Sequence, residues 1–211
     1  MTAAGIERQL RDGVTALELD LPGDAQDRLL RYLSVLRKWN RVYNLTAIRE
    51  PSRLVSHHLL DSLAVVPHLS GSTIADIGSG AGLPGIPIAI SRPDCQVFLV
   101  ESNHKKGAFL RQAVIELGLH NAVVIVARAE TWRPEPTVDV AISRAFSDLS
   151  GFVDAARHMI GHSGVLAAMK GLYPNEELAQ LPSSVRLQGV VPLEVPGLRA
   201  ARHLILLKPT S

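Results

Sequence analysis

The residues best placed to do chemistry fall in one run, Asp76-Ile77-Gly78-Ser79-Gly80-Ala81-Gly82-Leu83-Pro84-Gly85. Four glycines in eight residues, directly after the apolar stretch Thr73–Ile77, let the backbone take positive φ and come close to a ligand. A plain tight turn would not need so many. Two acids follow at useful distances. Glu101 closes the next apolar stretch, at the spacing where a carboxylate meets ribose hydroxyls in nucleoside-binding folds. Ala129-Glu130 follows the third, where an adenine would lie. Two cations end later stretches, Arg144 in Ile142-Ser143-Arg144-Ala145-Phe146 and Lys170 in Met169-Lys170-Gly171. Each alone reads as a surface ion pair; two reaching one mouth suggest anion binding.

The glycine run fits two ligands. Gly80-x-Gly82-x-x-Gly85 satisfies the dinucleotide fingerprint, which makes an NAD-dependent oxidoreductase one reading. Asp76 followed by Gly78-x-Gly80-x-Gly82 instead resembles the motif of Rossmann-like methyltransferases that use S-adenosylmethionine. In the first reading the glycines begin two residues late relative to the strand end. The Asp76 carboxylate would repel a pyrophosphate and attract an amino group and a sulfonium.

What is missing narrows the acceptor. Amino-group methylases carry Asn/Asp-Pro-Pro-aromatic after the fourth strand, where this chain has Ser143-Arg144-Ala145-Phe146. Cytosine C5 methylation needs a thiolate, yet the single cysteine, Cys95, precedes the second strand, at the far end of the sheet. Acceptors that are already nucleophilic remain. Guanine N7 has a free lone pair and no proton to lose, so it needs in-line placement and no base.

The elements that must hold these residues are short apolar strands alternating with helices from Thr73 onward. Strands are expected at Thr73–Ile77, Gln96–Glu101, Ala122–Val126, Val138–Ser143, Gly164–Met169, Val185–Val191 and His203–Leu207. Helices are expected at Lys105–Leu117, Leu149–Ile160 and Asn175–Leu181. This alternation predicts an α/β fold with a mostly parallel seven-stranded sheet; the last two strands, with no crossover helix, form an antiparallel hairpin at its edge. Residues 1–70 read as a helical N-terminal region before a Rossmann-like domain at 71–211. There Ile6, Leu10, Val14 and Leu17 step at helical spacing, Asp24 can cap a second helix, and Pro51 opens a third with Leu54, Val55, His58, Leu59, Ser62, Leu63 and Val66 on one face.

With 211 residues, 46% apolar and 20% charged, the chain can bury a sizeable core. One cysteine excludes an internal disulfide and a cysteine-rich zinc cage. No signal peptide or membrane span is expected, which fits a cytoplasmic protein, and no obvious apolar interface argues against a monomer. The net charge of +2 says little, but Arg28, Arg31, Arg37, Lys38, Arg41, Arg49 and Arg53 face only Glu50 over one stretch. Such a stripe suits a polyanion or a solvated helix face equally. It also keeps open a non-enzymatic RNA-binding protein. His57, His58 and Asp61 lack an evident further ligand, so no metal is expected; Trp39 and Tyr43 read as core at helical spacing.

Longer segments carry a resemblance. Trp39–Ile48, His58–Leu63, Asp76–Ile88, Phe109–Gln112, Ile142–Phe146 and Lys170-Gly171 together resemble the bacterial RsmG/GidB family, which forms 7-methylguanosine in small-subunit ribosomal RNA. The continuation Gly82-Leu83-Pro84-Gly85-Ile86-Pro87 is the most specific part; the family often has proline at the place of Ala81. The resemblance implies S-adenosylmethionine as cofactor, contacted at Gly78, Leu83, Ala129, Glu130 and Arg144, with Glu101 at the ribose. It implies a guanine in the decoding-region loop of 16S rRNA, in the small ribosomal subunit, as target. Arg49, Arg53, Lys105, Lys106, Arg144 and Lys170 become candidates for phosphate, and Arg144 with Lys170 for aligning the transfer.

Overall fold

The computed structural model describes residues 2–144 and 146–210; Met1, Ala145 and Ser211 lie outside the described residues, so the Ile142–Phe146 motif is seen without its alanine. Seven strands form one sheet: β1 (Thr73–Ile77), β2 (Gln96–Glu101), β3 (Ala122–Val126), β4 (Val138–Ser143), β5 (Ile160–Lys170), β6 (Val185–Pro192) and β7 (His203–Pro209). Their spatial order is β3-β2-β1-β4-β5-β7-β6. The first five are parallel, and β7 runs antiparallel between β5 and β6. Strand order reverses at β1 and β4, whose carboxyl ends open the crevice where ligands bind in such sheets.

The N-terminal region is helical as expected, with α1 (Ala3–Ala16), α2 (Gly23–Tyr43), α3 (Pro51–Leu54), a π-helical segment (Val55–Leu60) and α4 (Asp61–Leu63). Its boundaries hold two corrections. Asp24 does not cap α2: the carbonyl of Pro22 already takes Ala25 and Gln26 N–H groups, so Asp24 lies in the first turn and pairs with Arg28 at 2.8 Å. The third helix is not one-faced. Leu54 to Val65 are all buried except His57, because the segment is wedged between α1 and the sheet side of the molecule. One apolar cluster accordingly joins Leu10, Leu29, Leu36 and Leu63 to Ile74, Ile86 and Leu99, so residues 1–70 and 71–211 share a core.

The opposite face of the sheet is covered by α7 (Leu149–Ala156), where Leu149, Phe152 and Val153 pack on Ala75, Ile77 and Ala141. This helix is shorter than its apolar run suggests. After Arg157–Met159 the chain is already in β5, with Ile160 paired to Val138. A bulge between Val138 and Val140 follows, and a Cβ at Gly164 would fall 2.7 Å from that of Ile160. Pairing with β4 thus overrides helical periodicity. The helix α6 (His104–Leu117) begins on Asn103, whose side chain accepts the N–H groups of Lys105 and Lys106, and ends at Gly118 with φ 62°. The helices α5 (Gly85–Ser91) and α8 (Asn175–Ala179) follow the glycine run and β5 respectively. Among the described residues no helix is long and apolar enough to cross a membrane.

At the amino ends of β1 and β4 the frame is closed by Asp139. Its Oδ2 accepts from Ser72 N (2.8 Å), Thr73 N (2.9 Å) and Thr73 Oγ1 (2.9 Å). Burial works against this charge but the hydrogen bonds outweigh it, and the pKa falls below the ordinary carboxylate value. Asp139→Ala is expected to lower the unfolding free energy by about 1–3 kcal/mol in a denaturant titration. Ligand binding at the opposite end of the sheet should be unchanged.

Candidate active site

The glycine loop is shaped by backbone geometry and then fixed from three directions. Gly78, Gly80 and Gly82 have φ of 71°, 57° and 83°, values that other residues rarely adopt. From β2, Val100 O accepts the N–H groups of Gly78 and Ser79, and Glu101 Oε2 accepts that of Gly80 at 2.9 Å. The other Glu101 oxygen takes Asn103 N–H at 2.8 Å, so this carboxylate spans the loop and the start of α6. From β1, Asp76 Oδ2 accepts Gly85 N–H at 3.0 Å. From α2, the fully buried Tyr32 donates its hydroxyl to the carbonyl of Ala81. Gly85 cannot be larger: a Cβ would lie 2.7 Å from Asp76 Oδ2 and 2.3 Å from Leu99 Cδ2.

Asp76 is wholly buried, and its Oδ1 has no hydrogen-bond partner. Burial pushes its pKa up to about 7, against the lowering effect of Gly85 N–H, Ser79 and Arg144. Tyr32 is raised well above the ordinary phenol value, again by burial, so its hydroxyl stays a donor.

Beside the loop lies a cleft of about 190 Å³, lined by Ile77, Gly78, Val100, Ala129, Glu130 and Phe146 among others. It unites Gly78, Ala129 and Glu130 of the residues expected from sequence. Asp76, Gly80 and Glu101 are engaged in holding the loop. Gly82 and Leu83 are buried behind it, with Gly82 against Ile86 and Leu110. Glu130 also pairs with Arg128 at 3.5 Å on the surface.

Next to the cleft, a cavity of about 350 Å³ is lined by His57, His58, Asp61, Arg144, Lys170 and Arg202 among others. Arg144 and Lys170 therefore do converge, but each has an internal partner. Lys170 Nζ donates to Ser147 O and to both oxygens of Glu177, at 2.8–3.1 Å. Arg144 Nη1 donates to Asp61 Oδ2 (3.2 Å) and to His57 O (3.1 Å). Its other guanidinium nitrogens bond to nothing among the described residues. Asp61 is 1% exposed and takes a second arginine, Arg202 Nε, on Oδ1 at 2.8 Å. Both Asp61 oxygens thus face cations.

The histidines adjoining Asp61 are fixed by donor counting. A carbonyl only accepts, so His58 Nδ1 carries the proton toward His57 O (3.0 Å), and Nε2 accepts from Thr46 Oγ1 (2.8 Å). Thr46 Oγ1 in turn accepts Ile48 N–H, so one chain of hydrogen bonds links the loop after α2 to Arg144 through His57 O. Arg202 and Tyr32 are not singled out by sequence as site residues, and Asp61 enters there only as a metal ligand that is set aside. Asp61 had a faint signal, a carboxylate inside a helical apolar run; Arg202 had none. Cys95 is buried at the amino end of β2, bonded to Gly71 O, away from the crevice.

Comparison with known proteins decides the family. The rRNA small subunit methyltransferase G (GidB) family matches residues 25–205. The chain belongs to the rRNA small subunit methyltransferase G family. The Ribosomal RNA small subunit methyltransferase G of Nitrosospira multiformis is 55% identical over 207 residues, 95% of this chain and 96% of the relative. That of Chromobacterium violaceum is 54% identical over 198 residues, 93% and 95% of the two chains. A SAM-dependent methyltransferase from Aquifex aeolicus, 20% identical, superposes with a TM-score of 0.57 over 82% of this chain and 98% of its own, which shows the shared fold. In this methyltransferase G family member, the methyltransferase sheet places the glycine loop and Arg144 on the two strands that flank the crevice.

Two outcomes test this site. Tyr32→Phe removes the donor to Ala81 O; it is expected to cost about 1–3 kcal/mol of stability and to weaken S-adenosylhomocysteine binding in calorimetry. Burial and the nearby Arg144 hold the His58 pKa down to about 4 from 6.5. An imidazole depressed on folding stabilises the fold above its unfolded pKa and stops doing so as pH falls toward the folded one. The gap in unfolding free energy between the native protein and His58→Asn should therefore narrow from about pH 7 to about pH 4.

Proposed function

We propose that this chain transfers a methyl group from S-adenosylmethionine to N7 of a guanine in 16S rRNA of the small ribosomal subunit, in the cytoplasm. The observation that carries the reading is the pairing of the glycine loop and its adjoining cleft with Arg144 across the β1–β4 crevice, in a member of the rRNA small subunit methyltransferase G family.

The donor set fits this cofactor. The cleft wall of Ile77, Val100, Ala129 and Phe146 is apolar enough for a purine, and Gly78 leaves its backbone open. Glu101 keeps a further lone pair on each oxygen for ribose hydroxyls after binding two N–H groups. The unpartnered Asp76 Oδ1 leaves a buried acceptor near the loop, and a cationic ligand there favours the ionised form against the pKa raised to about 7. When bound, S-adenosylmethionine supplies an electrophilic methyl on a positive sulfur. Gly80, Gly82 and Leu83 hold the loop in shape. Asp61 and His57 O orient Arg144, whose remaining N–H groups point the acceptor nucleotide by contact with its phosphate or its O6. Lys170 acts through Ser147 and Glu177, fixing the lip of the crevice. Guanine N7 gives up no proton, so no residue is assigned as a base.

A basic surface supports RNA binding. A cavity of about 170 Å³ is lined by Arg37, Arg41 and Arg49 with Asn40 and Thr46, and shares Ile48 with the Arg144 cavity. Among the described residues Arg37, Lys38 and Arg41 have no acidic partner. The basic stripe therefore leads into the site. By contrast, Arg28 pairs with Asp24, and Arg31 caps the carbonyl of Glu116.

The decisive experiment supplies labelled S-adenosylmethionine and small subunits from a strain lacking the enzyme, then maps the modified nucleotide by mass spectrometry. One labelled guanine at N7 is expected, and Arg144→Ala should abolish most of the label while keeping the fold. Label on another atom, or tight NADH binding with no response to S-adenosylhomocysteine, overturns the reading. Joint replacement of Arg37, Arg41 and Arg49 by alanine should flatten the salt dependence of subunit binding by about three phosphate equivalents.

A further inference from the structure

We propose that the turn after β5, Leu172-Tyr173, takes the target guanine out of its stack and holds it: Tyr173 gives the extruded base a face, and Leu172 fills the place it leaves. The inference rests on the proposed RNA substrate and goes beyond it in naming how the base is reached.

The turn forms the lip of a groove of about 600 Å³ that shares Arg144, Met169, Lys170 and Gly171 with the Arg144 cavity. Leu172 is 82% exposed, the most exposed large apolar side chain among the described residues, and Tyr173 is 47% exposed. Lone exposed leucines are common on surfaces, but this one stands on a clamped backbone. His203 Nδ1–H donates to Gly171 O at 2.9 Å, and Asn175 N–H donates to Tyr173 O at 3.1 Å. Pro174 is buried. The His203 ring meets the Tyr173 ring edge-on, with centroids 5.6 Å apart at 83°. The tyrosine is thus buttressed by His203 while about half of it is left exposed. This is a fixed tip with apolar groups held in water, at the mouth of a transfer site.

The charges choose the occupant. Lys170 is paired with Glu177, and Asp61 is shared between Arg144 and Arg202, so Arg144 keeps N–H groups for the nucleotide while Glu176 adds an acceptor to the groove. An acid there suits guanine, whose N1–H and 2-amino group donate along the edge opposite N7; adenine offers an acceptor at N1. The guanine implied as target lies in a loop, where bases are read by splaying them out onto aromatic side chains, and enzymes that modify bases take them into a pocket. Apolar wedges inserted between base steps and aromatic stacking are the usual means.

The test uses Leu172→Ala, Leu172→Met, Tyr173→Ala and Tyr173→Phe in the full-length enzyme, with labelled S-adenosylmethionine and unmethylated small subunits. S-adenosylhomocysteine affinity is measured alongside. Each alanine variant is expected to lose about tenfold in kcat/KM, in line with the value of one stacked base. The Met and Phe variants should stay near the native rate, and cofactor-product affinity should be unchanged in all four. Full activity in both alanine variants overturns the inference alone. So does a loss that follows weakened S-adenosylhomocysteine binding, since the turn would then belong to the cofactor site. If the native enzyme labels no small-subunit guanine, the functional reading falls, and this inference with it.

Discussion

The site depends on one buried carboxylate. Asp61, at 1% exposure, holds Arg144 from the end of β4 and Arg202 from just before β7, and it comes from the helical segment laid across the sheet. A charge so deep is tolerated only with paired, hydrogen-bonded cations. Three distant stretches of chain must therefore meet at that point, and their meeting sets where Arg144 can reach. The π-helical turn just before Asp61 contributes to the same end. It brings His57 and His58, adjacent in sequence, onto the same cavity as Asp61. In a regular α-helix neighbouring residues would diverge; π-turns of this sort recur at functional sites.

The glycine loop obeys a similar constraint through its backbone. A turn with repeated positive φ cannot bond within itself as a helix or strand would, so its N–H and C=O groups need outside partners. They find Val100 O, Glu101 and Asp76 on the sheet and Tyr32 on α2. In the proposed function, ligand recognition and loop support fall to overlapping residues. Glu101 does both if it meets a ribose, and Gly78 is left as the open backbone of the cleft. Because Tyr32 sits on the helix that also carries Arg37 and Arg41, the basic face and the loop are joined through one helix.

Much of the fold was legible. Strands β1 to β4 have the ends read from their apolar runs, and the antiparallel closing pair follows from the missing crossover. A five- or six-residue apolar run after a turn signal has few other uses, whether it lies inside the sheet or, like β3, at its edge. The errors came where tertiary pairing competes with local pattern. Ile160 continues a helical apolar run yet joins β5, and the Asp24 cap lost to a helix begun by Pro22. The face assigned to residues 54–66 failed because burial on all sides hides any amphipathic stripe.

Sequence by itself determined the glycine loop, the acids after β2 and β3, and the cations at the ends of β4 and β5, since all are placed by strand termini and carried by compact motifs. Tertiary structure alone decided which of these groups are free. Lys170 is bound by Glu177, Arg144 shares Asp61 with Arg202 across 141 residues of chain, and Tyr32 reaches the loop across 49. Such partners leave no trace in local spacing, because a hydrogen bond or ion pair depends on distance in space, and packing of the whole core sets that distance.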